Sequence, residues 1–526
     1  MSFLPQSGSK RLLSIHGWSG VLLGLLLYVC IFTGAIVVFE REINIWSQGQ
    51  LAQSEGLGTR VDHYFRVNAR DVDPRYYEEV SIFRTAGGNF NYRFHTHETD
   101  PDTGRIVEPT VRLTVDGETG EVIDRFEGLP GDQGPNPGTA LRNFWVDLHV
   151  QLYVPAPWGL YLTGILGLAM MAAAVSGILL HKHMIRDAFV SARSSMRLVG
   201  ARDLHVLAGT WGLPFAILLA FTGAFFSLAG TVGVPAMAWV AFNGDQEEMI
   251  ETIIGLPEDL STTPASMASL DYIIKDAHER TGGAVQSIQI MNYNTERARV
   301  MVRLSPAEGN LTGTTLGFDG PTRAFLGEQP AFGQDPSMGA SLLSLIAPLH
   351  FGNFAGVLSK TVWLGLGLAS AWVAATGMLL WTKRRQDEPL WQRFRHTIVG
   401  VIWGLPIAML VSAVAYFFTL PAGDPHFWTP MGFLAGALGV VALAWDRDRA
   451  QDKLSLALAL LCIAMPLLRL VTGGASWSEA LIAGAAEILI IDLLLVVGGL
   501  VLLRWSRRRA PATEPLTPNA YQEPAE

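Results

Sequence analysis

Four histidines sit at repeated places in apolar surroundings, and they are the residues here most able to do chemistry. His16 and His205 each open an apolar run, which then reaches Thr33-Gly34-Ala35 in one case and Thr222-Gly223-Ala224 in the other. The offset is 189 residues for both the histidines and the Thr-Gly-Ala triplets. His149 follows Leu148 and leads into a run ending Ser176-Gly177-Ile178-Leu179-Leu180. His350 follows Leu349 and leads into one ending Thr376-Gly377-Met378-Leu379-Leu380. The chain is duplicated, and the duplication puts two histidines near each edge of a bilayer. Histidine is uncommon in lipid, and its neutral ring nitrogen binds porphyrin iron well.

The economical expectation is two bis-histidine haem b groups, one per membrane face. His16 pairs with His205 on one face, and His149 with His350 on the other. A span of about 20 residues rising 1.5 Å per residue would set the two ligand layers ~30 Å apart. A single histidine of this kind would read as an interfacial anchor or a helix cap; four in duplicated register favour iron-porphyrin. His181, with His183 beside it, closes the second span where the other half has Trp381 and Lys383, so His181 is an alternative inner ligand. Gly17, Gly20, Gly24, Gly34, Gly209, Gly212 and Gly223 suit close helix packing as well as a flat macrocycle.

The elements that must hold these residues follow from hydropathy. With 526 residues, 49% hydrophobic and 16% charged, the chain is not a soluble globule. Eight apolar runs are long enough to span a bilayer: 16–39, 158–180, 205–230, 354–381, 398–420, 429–445, 454–471 and 483–504. The first reads as a retained span rather than a cleaved leader, being long, histidine-bearing and without a small-residue cleavage site. Lys10, Arg11, Lys182, Arg186, Lys383, Arg384 and Arg504–Arg509 all fall on one side of such a map, which predicts cytoplasmic termini. Residues 40–140 carry 18 acids against 10 bases, and residues 231–340 carry 14 against 6. Both stretches are therefore expected outside, and nothing in the charge pattern points to nucleic acid.

The map divides as transmembrane helix 1 (10–40), a first exported α+β domain and linker (41–157), helix 2 (158–183), helix 3 (204–230), a second exported domain (231–353), helix 4 (354–382), a C-terminal four-helix membrane extension (397–505) and a disordered tail (510–526). A helix is predicted over Leu270–Arg280. Strands are predicted over Val285–Met291, Arg297–Leu304, Thr314–Phe318, Tyr92–His95, Val111–Val115 and Val122–Arg125. The turn Asp116-Gly117-Glu118-Thr119-Gly120-Glu121 is rich in residues that accept positive φ, with a looser counterpart at Asp319–Thr322.

Other candidates are weaker. Cys30 and Cys462 read as small buried hydrophobes within spans. His95-Thr96-His97-Glu98 puts two histidines on one face of a strand, where a metal or ferric ligand could sit, although a solvated strand end is the plainer reading. Glu487 and Asp492 are costly in lipid, and Arg469 is at the right depth to pair with Glu487; a proton or quinol role for Asp492 is the alternative. No HExxH, P-loop or Rossmann glycine motif occurs, so electrons would come from a partner or a quinol.

His16-Gly17-Trp18-Ser19-Gly20 with Thr33-Gly34, Leu148-His149, Leu349-His350 and the exit Gly377…Trp381-Thr382-Lys383-Arg384 resemble the PepSY-associated transmembrane family. The Asp116–Glu121 hairpin is similar to the strand pair of PepSY domains. The resemblance covers roughly residues 10–386. It implies an α-helical polytopic membrane protein of about eight transmembrane helices, with two α+β PepSY-like extracytoplasmic domains and an internal duplication. It also implies kinship with inner-membrane, haem-binding ferric-siderophore reductases. The function expected is a haem b reductase of the bacterial inner membrane, taking electrons from an unidentified donor, quinol or cytoplasmic reductase, to a periplasmic ferric chelate bound in a cleft between the exported domains. The alternatives are a non-redox transporter or uptake accessory with ligand-binding domains, and a PepSY-type protease regulator.

Overall fold

The computed structural model describes residues 6–49, 56–58, 60–85, 88–99, 106–180, 189, 197–245, 248–249, 263–330, 337–445 and 449–508. Seven helices are long and apolar enough to cross a membrane, and an eighth if the bent pair α1 (Gln6–Leu22) and α2 (Gly24–Val37) counts as one span. The chain is a multi-pass membrane protein with a separate antiparallel sheet.

The first span, expected as one apolar run over 16–39, is not straight. It bends by 66° between α1 and α2. The second repeat is interrupted at the same place, between α7 (Arg197–Trp211) and α8 (Leu213–Leu228), and Gly212 lies 189 residues after Leu23. Pro214, at the start of α8, cannot donate a backbone hydrogen bond back into α7. In both repeats the histidine therefore rides on a short helix, α1 or α7, set off from the span proper.

The second span of each repeat is preceded by a separate helix. These are α5 (Ala140–Val150) before α6 (Trp158–Leu180), and α11 (Met338–Phe351) before α12 (Gly356–Lys383). The core packs α2 on α12 and α6 on α8, with α5 against α2 and α11 against α8. The C-terminal helices α13 (Pro389–Thr419), α14 (Pro425–Leu443), α15 (Ala450–Val471) and α17 (Ala486–Arg508) pack among themselves and, through α13, on α12. Half of the apolar window of α13 is buried, more than in any other span, so it is the hub joining this extension to the repeats.

The two long segments that connect the spans of each repeat build one sheet. Its eight strands run β10-β9-β8-β7-β1-β2-β5-β6, all antiparallel. The first segment supplies β1 (Glu79–Arg84), β2 (Phe90–His95), β5 (Thr110–Val115) and β6 (Val122–Gly128). The second supplies β7 (Val285–Met291), β8 (Arg299–Leu304), β9 (Thr315–Asp319) and β10 (Phe325–Gln329). A small hairpin, β3 (Glu98–Thr99) with β4 (Ile106–Val107), stands apart. The strand order is symmetric about the β1–β7 seam, so the duplication reads as a pseudo-two-fold axis through it. Each segment alone would expose β1 or β7 as an unpaired edge, and joining them satisfies those backbone groups. The cleft expected between two exported domains is closed along this seam by hydrogen bonds from Glu79↔Met291 to Phe83↔Ser287.

Alternation along the strands sends Val80, Ile82, Tyr92, Phe94, Val111 and Leu113 to one face, where they bury against α4 (Val61–Ala69) and α10 (Leu270–Thr281). The turns repeat as well. Asp116 Oδ1 accepts from the amides of Glu118 (2.9 Å) and Thr119 (2.8 Å), and Gly120 closes the turn at φ +77°. Asp319 accepts from the Thr322 amide at 2.9 Å, and Arg323 takes the glycine's place at φ +64°. The expected tail 510–526, and His181 and His183, fall outside the described residues.

Candidate functional site

Each of the four histidines rests on a Ser-Gly or Thr-Gly step of a neighbouring helix in its own repeat. His149, on α5, lies against α2, and its Nδ1 is 2.9 Å from the Cys30 carbonyl. His350, on α11, lies against α8 with Nδ1 2.9 Å from Thr222 Oγ1. His16, on α1, meets α6, where Nδ1 is 3.1 Å from the Ala173 carbonyl and 3.0 Å from Ser176 Oγ. His205, on α7, meets α12 with Nδ1 3.0 Å from Thr376 Oγ1.

These partners fix the tautomer. A carbonyl only accepts, so His149 and His16 must donate from Nδ1. Thr222 Oγ1 spends its own proton on the Leu218 carbonyl (2.8 Å), and Thr376 Oγ1 on that of Trp372 (2.9 Å). Both hydroxyls are then left to accept from their histidines. All four rings are thus Nδ1–H imidazoles whose Nε2 lone pair is free to ligate a metal. Outer-shell bonds of this kind hold metal-ligating histidines in orientation and raise their basicity.

The glycine of each step makes room for the ring. A Cβ on Gly34 would stand 2.6 Å from His149 Cε1, and one on Gly377 would stand 3.1 Å from His205 Cε1. At Gly223 and Gly177 the corresponding distances, to His350 and His16 Cε1, are 3.4 and 3.8 Å. The sequence showed Gly34 and Gly223 as packing positions, and Gly177 and Gly377 only as parts of the repeated run endings. What it hid was that each is paired with one histidine on another helix; the signal was there in four histidines matched by four Ser/Thr-Gly steps.

On the sheet side the rings of His149 and His350 are 6.3 Å apart between centroids, with planes 25° from parallel. That separation is what two metal–nitrogen bonds of ~2 Å and two ring half-widths would span. On the far side His16 and His205 lie within electrostatic reach of each other. The structure therefore brings the expected pair His149 and His350 into ring contact, while the expected pair His16 and His205 shows only the electrostatic interaction. No cluster of three or more His, Cys, Asp or Glu that could hold a bare metal ion occurs among the described residues. The donor set suits a metal that brings its own equatorial ligands, as a porphyrin does.

The minor candidates resolve differently. His95 Nε2 is 3.4 Å from Glu79, and His97 Nδ1 is 2.7 Å from Glu78. The hydrogen bond from His95 holds the Glu79 carboxyl below its usual range despite partial burial. Cys30 contributes through its carbonyl, while its Sγ lies 3.6 Å from the His149 carbonyl. Arg469 pairs with Asp492 at 2.7 Å, not with Glu487 as expected. Asp492 also accepts from Trp46 Nε1 and Trp477 Nε1, each at 2.8 Å.

The model of the PepSY-associated TM region matches residues 13–384. The chain belongs to that family. The match ends just before α13, so the four-helix extension lies beyond it. A protein of Pseudomonas aeruginosa, itself described as uncharacterized, is 27% identical over 397 residues, covering 70% of this chain and 95% of the relative. Membership accounts for the duplicated core and the sheet, and assigns no reaction.

Proposed function

We propose that this protein is a haem b reductase of the bacterial inner membrane, carrying electrons outward to a ferric chelate such as a ferric siderophore. The observation that supports this most is the set of four imidazoles held through Nδ1 with Nε2 free, two of them at the separation a shared iron requires. Bound haem would supply a metal that cycles between ferric and ferrous states. His149 and His350 would hold it on the sheet side, and His16 and His205 on the far side. Thr222, Thr376, Ser176 and the Cys30 carbonyl keep the rings turned for that task. Each ferric ion reduced takes one electron from a quinol or a cytoplasmic reductase, and hard oxygen ligands release the ferrous product more readily.

The deciding experiment is a visible spectrum of the purified protein, air-oxidised and then dithionite-reduced, with haem quantified per chain. Two haem b per chain with low-spin bands are expected. A colourless, haem-free protein from haem-replete cells would sink the reading. For the far-side pair, His16→Ala or His205→Ala is expected to remove one haem of two or leave it five-coordinate. If His181→Ala does this and His16→Ala does not, the ligand is on the second span.

The orientation proposed puts both termini in the cytoplasm and the sheet in the periplasm, following the Lys/Arg distribution. A phosphatase reporter inserted after Asn136 is expected to be active, and a cytoplasmic signal there would invert the map.

A further inference from the structure

Three of the six buried polar atoms without a hydrogen-bond partner among the described residues lie on one face of two adjacent strands. They are Asn91 Oδ1 and His95 Nδ1 on β2, and Arg112 Nε on β5. This is the sheet face turned away from α4 and α10. The register makes the neighbourhood explicit. Phe83, Asn91 and Thr114 form one cross-strand row; Ser81, Arg93, Arg112 and Phe126 form the next; Glu79, His95 and Thr110 form the third.

Arg93 and Arg112 stand directly opposite each other, an arrangement that destabilises a sheet unless charge is compensated. Arg93 has its counter-ion in Glu108 at 3.0 Å. Arg112 has no carboxylate within ion-pair distance among the described residues. Asn91 is 8% exposed and His95 is 4% exposed, so their unmet polar atoms are not served by bulk water. Leaving such groups unpaired is costly.

The fold does not demand these residues. The second repeat builds the equivalent strands with Met301 where the first has Asn91, Thr315 where it has Arg112 and Ser305 where it has His95. The cost is carried by one repeat only, which marks it as serving something other than folding.

We propose that this face of β2 and β5 is a binding site for a carboxylate-bearing small molecule. Arg112 takes a carboxylate in the forked geometry that guanidinium favours. Asn91 Oδ1 and His95 Nδ1 are acceptors, the His95 Nε2 proton being given to Glu79, so they take a hydroxyl donor of the same molecule, as the citrate hydroxyl supplies. Phe83 and Phe126 flank this face, three strand spacings or ~14 Å apart. The inference does not rest on haem.

The test is calorimetric titration of the full-length protein in detergent at low ionic strength, with citrate as probe. One citrate per chain is expected. Arg112→Gln should weaken binding about tenfold or more, and Asn91→Ala about threefold. Arg303→Gln, the counterpart of Arg93 in the second repeat, should bind as wild type does. Arg112→Gln should also keep the thermal midpoint or raise it, because it removes an unpaired charge. No citrate binding by wild type, equal affinity in Arg112→Gln, a lowered midpoint in that variant, or displacement of citrate by equimolar inorganic phosphate would each overturn the proposal.

Discussion

Replacing His149 or His350 with alanine is expected to abolish ferric-chelate reduction while the far-side haem remains reducible from its donor. Both histidines lie on the sheet side, so a haem held there would be the last carrier before an external acceptor. The two rings are 6.3 Å apart. The helices that carry them, α5 and α11, each sit on a Thr-Gly step of their own repeat. The Gly34 step offers a finer probe. Gly34→Ala puts a methyl group 2.6 Å from His149 Cε1, too close for any native contact, so the ring or α5 must shift. It should cost most of the sheet-side haem, whereas Gly177→Ala, with 3.8 Å to His16, should keep the far-side haem. Full haem content and full reductase activity in both His149→Ala and His350→Ala would remove these residues from the electron path.

The sequence carried the architecture well, because duplication repeats its own landmarks. The histidine positions, the span count and the strand β7 at Val285–Met291 were legible from periodicity and offset alone. Other features were not. The strand Glu79–Arg84 alternates correctly but is short, and nothing local says that its partner across the seam comes from the other repeat, some 200 residues on. The break after Leu22 has no proline in the first repeat; Gly212 and Pro214 in the second were the usable clue. The partner of Arg469 was misread because depth in the bilayer was the only guide. Glu487 and Asp492 are five residues apart, so they point to different sides of α17, and only packing decides which side meets α15.

That packing sets up the second large effect. Arg469 is fully buried, and Asp492 is 4% exposed. One Asp492 oxygen accepts from Trp46 Nε1, and the other from Arg469 and Trp477 Nε1. Trp46 belongs to α3 (Glu40–Gln48), which continues from α2, the helix under His149. A second strut runs from Trp145 Nε1 to Ser412 Oγ on α13 at 3.0 Å, one helical turn before His149. The C-terminal extension therefore braces the mount of the sheet-side histidine. Removing one member of a buried ion pair strands the other charge and typically costs about 3–5 kcal/mol. Asp492→Ala should accordingly lower the thermal midpoint of the protein clearly, and lower the sheet-side haem less than His149→Ala does. The double change Asp492→Leu with Arg469→Met should recover much of that loss, because a well-packed apolar pair of similar volume replaces the charges. Asp492→Asn separates bracing from chemistry: it keeps an oxygen for a tryptophan but gives up the charge. A bracing role predicts that stability and activity fall together across these variants. If Asp492→Asn keeps its thermal midpoint yet loses electron transfer from a quinol, the carboxylate handles protons and the brace is secondary.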